Sequence, residues 1–161
     1  AQGTTQFLGG GNFTLKLNTD GSYNGSPDGF AGSNWDTLSL TTLSLSSTTL
    51  STTPFVLTLQ TLNGSSAGAL ASFDPTQSHT WAYIATFFNL TGTFSSSDFV
   101  VNSTNFLSPT DGGSFSVIED PTGYGLDLLF TPAAIPEPGT WAMFLGGIGV
   151  LAGYRKIRSR R

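Results

Sequence analysis

The feature that most constrains the fold is a series of short runs in which apolar and polar residues alternate. The clearest runs are residues 13–17 and 55–62. A period of two is typical of β-strands with one buried face, and no helical period occurs before residue 139. Turn-forming pairs such as Asp20-Gly21 and Asn24-Gly25 separate the runs. The body of the chain is therefore predicted to be all-β.

The order and spacing of the strands narrow the architecture. Residues 81–88 are apolar on both faces and are predicted to form the most central strand. A slip in the alternation at Thr41-Thr42 indicates a β-bulge or a short turn. Short strands with frequent turns favour a sandwich or barrel-like domain, and a β-solenoid cap is the alternative because Ser/Thr/Gly-rich strands also suit solenoids. The candidate strands are residues 13–17, 35–45, 55–62, 81–88, 98–101, 114–118 and 126–130.

Alternation also predicts which side chains are buried. Aromatic residues on strands usually belong to the core, although Trp35, Trp81 and Tyr83 could stack on sugars if they were exposed. The side chains expected to be mostly buried are Phe55, Leu57, Leu59, Trp81, Tyr83, Leu126 and Leu128.

Charge and composition exclude several classes of function. Charged residues make up 10% of the chain, against about 25% in soluble domains, and plentiful Phe and Leu argue against disorder. Residues 1–137 hold ten acidic residues and one basic residue, Lys16, which gives a net charge of −9. Nucleic-acid binding has no electrostatic basis in such a body. The chain has no cysteine, so disulfides, thiolate metal sites and a thiol nucleophile are excluded.

The body carries no convincing catalytic motif. His79 is the only histidine, and no Gly-x-Ser-x-Gly motif accompanies it. We expect His79 to open a strand, and we predict neither an enzyme nor a cofactor. The oxygen-rich residues Asn18, Asp20, Asn24 and Asp28 are the only calcium candidates, but they lack EF-hand spacing and turn formation accounts for them.

The C-terminus has three successive parts. Residues 131–139 form a linker that contains Pro136-Glu137-Pro138, an extended segment because residues before proline avoid the α region. Residues 140–154 carry no charge and are predicted to form an apolar helix of about 22 Å, short of the ~30 Å hydrocarbon core. A basic cluster then indicates the cytoplasmic flank of a membrane helix. Its members are Arg155, Lys156, Arg158, Arg160 and Arg161.

These three parts, in this order, closely resemble the PEP-CTERM sorting signal of exopolysaccharide-producing Gram-negative bacteria. The resemblance covers about residues 135–161. It implies that an integral-membrane exosortase recognises Pro136, Glu137 and Pro138, that the helix is held transiently in the inner membrane, and that the basic cluster is the cytoplasmic stop. The start at Ala1 fits the residue that follows signal-peptide cleavage, which also predicts export.

The body resembles a β-rich segment that often lies just upstream of such tails, in some proteins after autotransporter-like β-solenoid repeats. Residues 32–38, 54–59 and 126–132 carry this resemblance, and it implies no activity. No internal repeat is evident in this chain.

Together these features predict an extracellular β-rich domain over residues 1–130, followed by the linker at 131–139, the helix at 140–154 and a basic cytoplasmic tail at 155–161. The predicted function is a structural or adhesive role at the cell surface or in the extracellular matrix, after sorting by an exosortase. The alternatives are a carbohydrate- or calcium-binding module, and a surface-fibre subunit that keeps its apolar tail for assembly. The expected partners are the exosortase, the inner membrane, exopolysaccharide and other copies of the chain.

Overall fold

A computed structural model describes residues 4–23, 26–27 and 31–134 of the chain. Within these residues almost all regular structure is β-strand; a four-residue helix, α1 (Ser47–Leu50), and a 3₁₀ turn at Ser96–Asp98 are the exceptions. The strands are β1 (Thr4–Phe7), β2 (Asn12–Leu17), β3 (Ser22–Tyr23), β4 (Ser26–Pro27), β5 (Leu38–Ser39), β6 (Thr42–Leu45), β7 (Phe55–Asn63), β8 (Ser66–Ala67), β9 (His79–Thr86), β10 (Asn89–Thr91), β11 (Phe99–Asn105), β12 (Ser114–Glu119) and β13 (Gly125–Thr131).

Two parallel sheets are built from strands that recur along the chain. One sheet has the order β1-β6-β10 and the other has the order β2-β7-β11. Each strand of the first sheet is followed in the chain by its counterpart in the second, so the chain passes through the two sheets three times. Asn12, Val56 and Val100 occupy equivalent positions on the three passes. Parallel stacking of successive coils is the arrangement of a β-solenoid.

A third sheet combines strands from the N-terminal and C-terminal parts of the chain. Its order is β12-β13-β9-β3-β4, with antiparallel pairing throughout, and β5 pairs in parallel with the end of β9. The strand predicted to be most central, residues 81–88, corresponds to β9, which begins at His79 and lies in the middle of this sheet.

The all-β prediction is confirmed, and the parallel stacks fit the solenoid alternative better than the sandwich or barrel that the strand spacing favoured. Alternation reports which face of a strand is buried, and it carries no information on whether the neighbouring strand is parallel or antiparallel. The slip at Thr41-Thr42 marks the short turn between β5 and β6, as predicted.

Aromatic side chains fill the interior in two groups. Within the parallel stacks the Phe7 ring stacks on that of Phe55 at 4.3 Å, and Phe99 meets Phe55 edge-on at 6.2 Å. A larger group, called here the aromatic cluster, lies against the third sheet. Its members are Phe73, His79, Trp81, Phe106, Phe115 and Phe130.

Six of the seven side chains predicted to be buried are buried: Phe55, Leu57, Leu59, Trp81, Leu126 and Leu128. Tyr83 is the exception, because its side chain is 38% exposed. Its strand is interrupted at this point, which turns the ring out of the core.

The predicted helix at 140–154 and the basic cluster lie outside the described residues. Among the residues that are described, no helix is long and apolar enough to cross a membrane.

Candidate functional site

The interruption in β9 is a bulge centred on Tyr83. In the pairing of β9 with β13, Trp81 lies opposite Leu128 and Ala85 lies opposite Leu126. Three residues of β9 therefore face the single residue Asp127. The backbone of Tyr83 accommodates the extra residues with a φ of 57°. This is a left-handed conformation, which residues other than glycine adopt at an energetic cost.

Three side chains satisfy the backbone groups that the bulge removes from the sheet. The indole Nε1 of Trp35 donates to the carbonyl of Ala82 at 2.9 Å. The amide of Tyr83 donates to Asp127 Oδ1 at 2.8 Å, and the hydroxyl of Thr37 donates to the Tyr83 carbonyl at 2.5 Å. Because buried backbone groups are costly to leave unpaired, these contacts hold Tyr83 in its left-handed conformation.

Asp127 is buried beneath the bulge, and its carboxyl group is perturbed by its surroundings. Burial raises the pKa of Asp127 above its ordinary value, and the nearby Asp120 carboxylate raises it further. The hydrogen bond from the Tyr83 amide opposes both effects by lowering the pKa. The net direction is upward, so ionised Asp127 is less favourable in the folded state than in water.

The bulge forms one side of a surface groove of about 500 Å³. Three of its aromatic side chains are exposed: Phe88 at 77%, Tyr124 at 60% and Tyr83 at 38%. This combination of residues is called here the aromatic groove. The residues that line the groove are Ser39, Leu40, Tyr83, Thr86, Phe87, Phe88, Thr122 and Tyr124.

Backbone hydrogen bonds fix both walls of the aromatic groove to the end of β9. The amide of Phe87 donates to the Tyr124 carbonyl at 2.9 Å, which anchors the turn between β12 and β13. On the opposite side, the amide of Leu40 donates to the Thr86 carbonyl at 2.8 Å. The groove is therefore held by three separate parts of the chain.

Gly125 allows the Tyr83 ring to lie close to the backbone of β13. A Cβ at position 125 would be 2.8 Å from Cδ1 of the Tyr83 ring and 3.1 Å from the carbonyl oxygen of Ala85. Only glycine leaves room for the ring in this position.

The turn after β12 is ordered by Asp120. Its Oδ1 accepts hydrogen bonds from the amide of Thr122, at 2.9 Å, and from the Thr122 hydroxyl. The Asp120 carbonyl accepts from the amide of Gly123 at 2.8 Å. These bonds position Thr122 and the following Tyr124 at the rim of the groove.

The aromatic residues considered from the sequence are separated by the fold. Trp35 and Trp81 are buried and bond to backbone carbonyls, so their rings are not available for stacking on a ligand. Of these three residues, Tyr83 is the one whose side chain is exposed. Sequence reasoning missed Phe88 and Tyr124; the signal for Tyr124 was its position between two glycines, in a turn where an aromatic ring has no core to enter.

The calcium candidates are only partly described. The Oδ1 atom of Asn18 accepts a hydrogen bond from the amide of Gly64 at 3.1 Å, and Asp20 is buried. Asn24 and Asp28 lie outside the described residues. In the described part of the chain, no three His, Cys, Asp or Glu side chains are grouped so that they could hold a metal ion.

His79 opens β9, as predicted, and it is almost completely buried in the aromatic cluster. Its Nδ1 lies 2.9 Å from the carbonyl oxygen of Asp20, and its Nε2 lies 2.8 Å from that of Asp74. Its ring also stacks on Phe73 at 4.7 Å. These contacts tie the loops before β3 and β9 together.

Substitutions at Tyr83 should reverse the usual order of alanine and glycine on a strand. Because glycine adopts a φ of 57° without strain, we expect Tyr83→Gly to be more stable than Tyr83→Ala by about 1 kcal/mol. Urea denaturation of the two variants measures the difference. At the neighbouring Ala82, which lacks a positive φ, Ala82→Gly should lower stability by about 1 kcal/mol. An alanine variant at 83 that matches or exceeds the glycine variant would argue against strain there.

Asp127 should make stability fall as the pH rises. Since the pKa of Asp127 is raised in the folded state, its contribution to folding stability is fully present below about pH 3.8. This contribution is lost as the pH rises through the folded pKa. We therefore expect Asp127→Asn to gain stability relative to the native chain between pH 3 and pH 7, measured by thermal denaturation across that range.

Asp74 provides a control of opposite sign for this measurement. Hydrogen bonds from Thr76 lower the pKa of Asp74, so its contribution is present above about 3.8 and is lost as the pH falls. Asp74→Asn should therefore be less stable than the native chain at neutral pH, and the difference should shrink as the pH falls. Identical pH profiles for the two variants would contradict the assignment.

Comparison with known protein families finds a match in the C-terminal part of the chain. Residues 134–161 match the PEP-CTERM protein-sorting motif. No curated protein and no solved structure matches the chain. The match includes the Pro-Glu-Pro segment and the basic cluster, and it begins three residues after the end of β13.

Proposed function

We propose that this chain, whose residues 134–161 carry a PEP-CTERM protein-sorting motif, is an exported protein with a structural or adhesive role at the cell surface or in the extracellular matrix. The motif supports export by exosortase-dependent sorting. The single observation that carries the proposal is this motif, which begins three residues after the last strand of an all-β body.

The linker suits recognition by a processing enzyme. Pro136 and Pro138 restrict the backbone around Glu137 to extended conformations, so little conformational entropy is lost when the segment binds. Glu137 supplies one negative charge on this extended backbone. In this proposal Pro136, Glu137 and Pro138 are the residues that the exosortase reads.

The remainder of the tail would hold the chain in the inner membrane before processing. In this proposal the apolar segment at 140–154 crosses the membrane, and the basic cluster at 155–161 stays in the cytoplasm because Lys and Arg favour that side. The β-domain then lies on the outer side, where processing releases it to the surface or the matrix.

The body supports a structural or adhesive role. Its strands are stacked coil on coil, and its polar residues are mainly Ser, Thr, Asn and Gly. His79 is occupied by backbone carbonyls in the aromatic cluster, which is the environment of a structural histidine. The proposal therefore includes no catalytic step.

Glu137→Ala should block sorting without affecting folding. We expect unprocessed protein to accumulate in the inner membrane of the native host, with the free energy of unfolding changed by less than about 0.5 kcal/mol. Cell fractionation with intact-mass measurement reports processing, and urea denaturation reports stability.

Glu119→Ala is the matched control, because Glu119 is an exposed glutamate on β12. This variant should be processed and displayed as the native chain is. Normal release of the Glu137→Ala protein would remove the recognition role assigned to this glutamate.

A further inference from the structure

We propose that the aromatic groove at Tyr83, Phe88 and Tyr124 binds a chain of uncharged sugars. This inference rests on the proposed adhesive role, which places the protein where it would encounter such a sugar chain. It assigns the contact to a defined surface of the β-domain.

The exposed rings point to a ligand with apolar faces. Aromatic side chains on a β-domain normally enter the core, yet Tyr83, Phe88 and Tyr124 are exposed together around one groove. Contiguous exposed apolar surface of this kind marks interaction sites. The C–H faces of a pyranose ring are flat and apolar, and they match the faces of aromatic rings.

The polar groups of the groove point to a ligand with many hydroxyl groups. Ser39, Thr86 and Thr122 line it with hydroxyls, and the two tyrosines add phenol groups. The hydroxyl of Thr122 donates to Asp120, so its oxygen remains an acceptor towards a ligand. Sugar edges carry hydroxyl groups that donate to and accept from such partners.

Charge selects an uncharged sugar chain over an acidic one. None of the residues that line the groove is charged. The body of residues 1–137 has a net charge of −9, which repels polyanions. A basic or strongly acidic ligand would find no opposite charge within the groove itself.

The bulge makes the groove rigid before any ligand arrives. Tyr83 is held in its left-handed conformation by hydrogen bonds from Trp35 and Thr37 to the carbonyls of Ala82 and Tyr83, and by its own bond to Asp127. Strain of this kind persists where the surrounding structure enforces it, and it concentrates at binding sites. Because the backbone that carries the ring is already held in place, less conformational entropy is lost on binding.

Affinity electrophoresis tests the proposal on the full 161-residue chain in a mild non-ionic detergent. The gels contain dextran, amylose or laminarin as neutral glucans, or alginate as an acidic polymer. We expect migration to be slowed by at least one neutral glucan, and any slowing by alginate to be the same in Tyr124→Ala, because the basic cluster at 155–161 can bind a polyanion independently of the groove.

Substitutions locate the binding. Tyr124→Ala and Tyr83→Gly should each weaken retention at least tenfold, and Tyr83→Gly does so without adding backbone strain. Tyr124→Phe should keep most of the binding, because the ring face remains. Leu107→Ala is the control: Leu107 is 52% exposed but does not line the groove, so its loss should change nothing.

Several outcomes would overturn the proposal. One is the absence of retention by all three neutral glucans, and another is retention by alginate that Tyr124→Ala abolishes. Retention that survives both tyrosine substitutions would place the site elsewhere. Self-association in analytical ultracentrifugation that is lost in Tyr124→Ala, without glucan binding, would make the groove an interface between copies. Because binding is measured on purified protein, a failed sorting test leaves this result unaffected, and the reverse also holds.

Discussion

Replacing Trp81 by alanine should lower the free energy of unfolding by about 3–5 kcal/mol, the largest effect expected of any single substitution considered for this chain. Trp81 is completely buried in the middle of β9. Its ring packs among Phe73, Phe106 and Phe115 in the aromatic cluster. Truncation removes this packing and leaves a cavity that surrounding strands cannot fill.

The same substitution also removes a hydrogen bond. The indole Nε1 of Trp81 donates to the Thr19 carbonyl at 2.8 Å, and that carbonyl would lose its partner. Trp81→Phe should therefore lose less stability than Trp81→Ala but remain less stable than the native chain, because phenylalanine keeps much of the ring and lacks the indole donor.

Urea denaturation followed by far-UV circular dichroism measures these changes without relying on tryptophan fluorescence. Phe88→Ala is the matched control, since this ring is 77% exposed, and its loss should cost less than about 0.5 kcal/mol. A loss below about 1 kcal/mol in Trp81→Ala would mean that the aromatic cluster is not the main core of the third sheet.

The second large effect is expected at His79, where leucine should lower stability by about 2–4 kcal/mol. Leucine is similar in size and equally suited to the surrounding rings, so apolar packing alone predicts little change. The loss comes from the hydrogen bonding, because the ring nitrogens face the carbonyl oxygens of Asp20 and Asp74. A neutral imidazole donates to one of these carbonyls, and that carbonyl loses its buried donor in the leucine variant at the cost of its desolvation.

Thermal and urea denaturation of His79→Leu and His79→Gln separate the two contributions. The glutamine amide can donate to one of the carbonyls but cannot stack on Phe73 as the imidazole ring does, so this variant should lie between the leucine variant and the native chain. A leucine variant as stable as the native chain would contradict a stabilising hydrogen bond from His79.

Much of the local structure was predictable from alternation alone. The run at residues 55–62 became β7, in which Phe55, Leu57 and Leu59 are buried on one face. Alternation succeeds here because successive side chains of a strand point to opposite faces, whatever the strand pairs with.

Tyr83 shows where this reasoning fails. A regular strand would have placed its ring on the buried face with Trp81. The bulge opposite Asp127 instead turns the ring outward, and its stabilising contacts come from Trp35 and Thr37, which are distant in the sequence. No local pattern in β9 encodes these partners.

The sequence by itself determined the longer strands, most of the buried positions and the sorting tail, because each depends on residues that are close together in the chain; the short strands β1 and β10 were missed. Only the tertiary structure decided that the strands stack in parallel coils and that Tyr83, Phe88 and Tyr124 share a groove. Both features arise from contacts between segments far apart in the chain. The choice among such contacts is made by the packing of the whole domain, and alternation along a single strand does not record it.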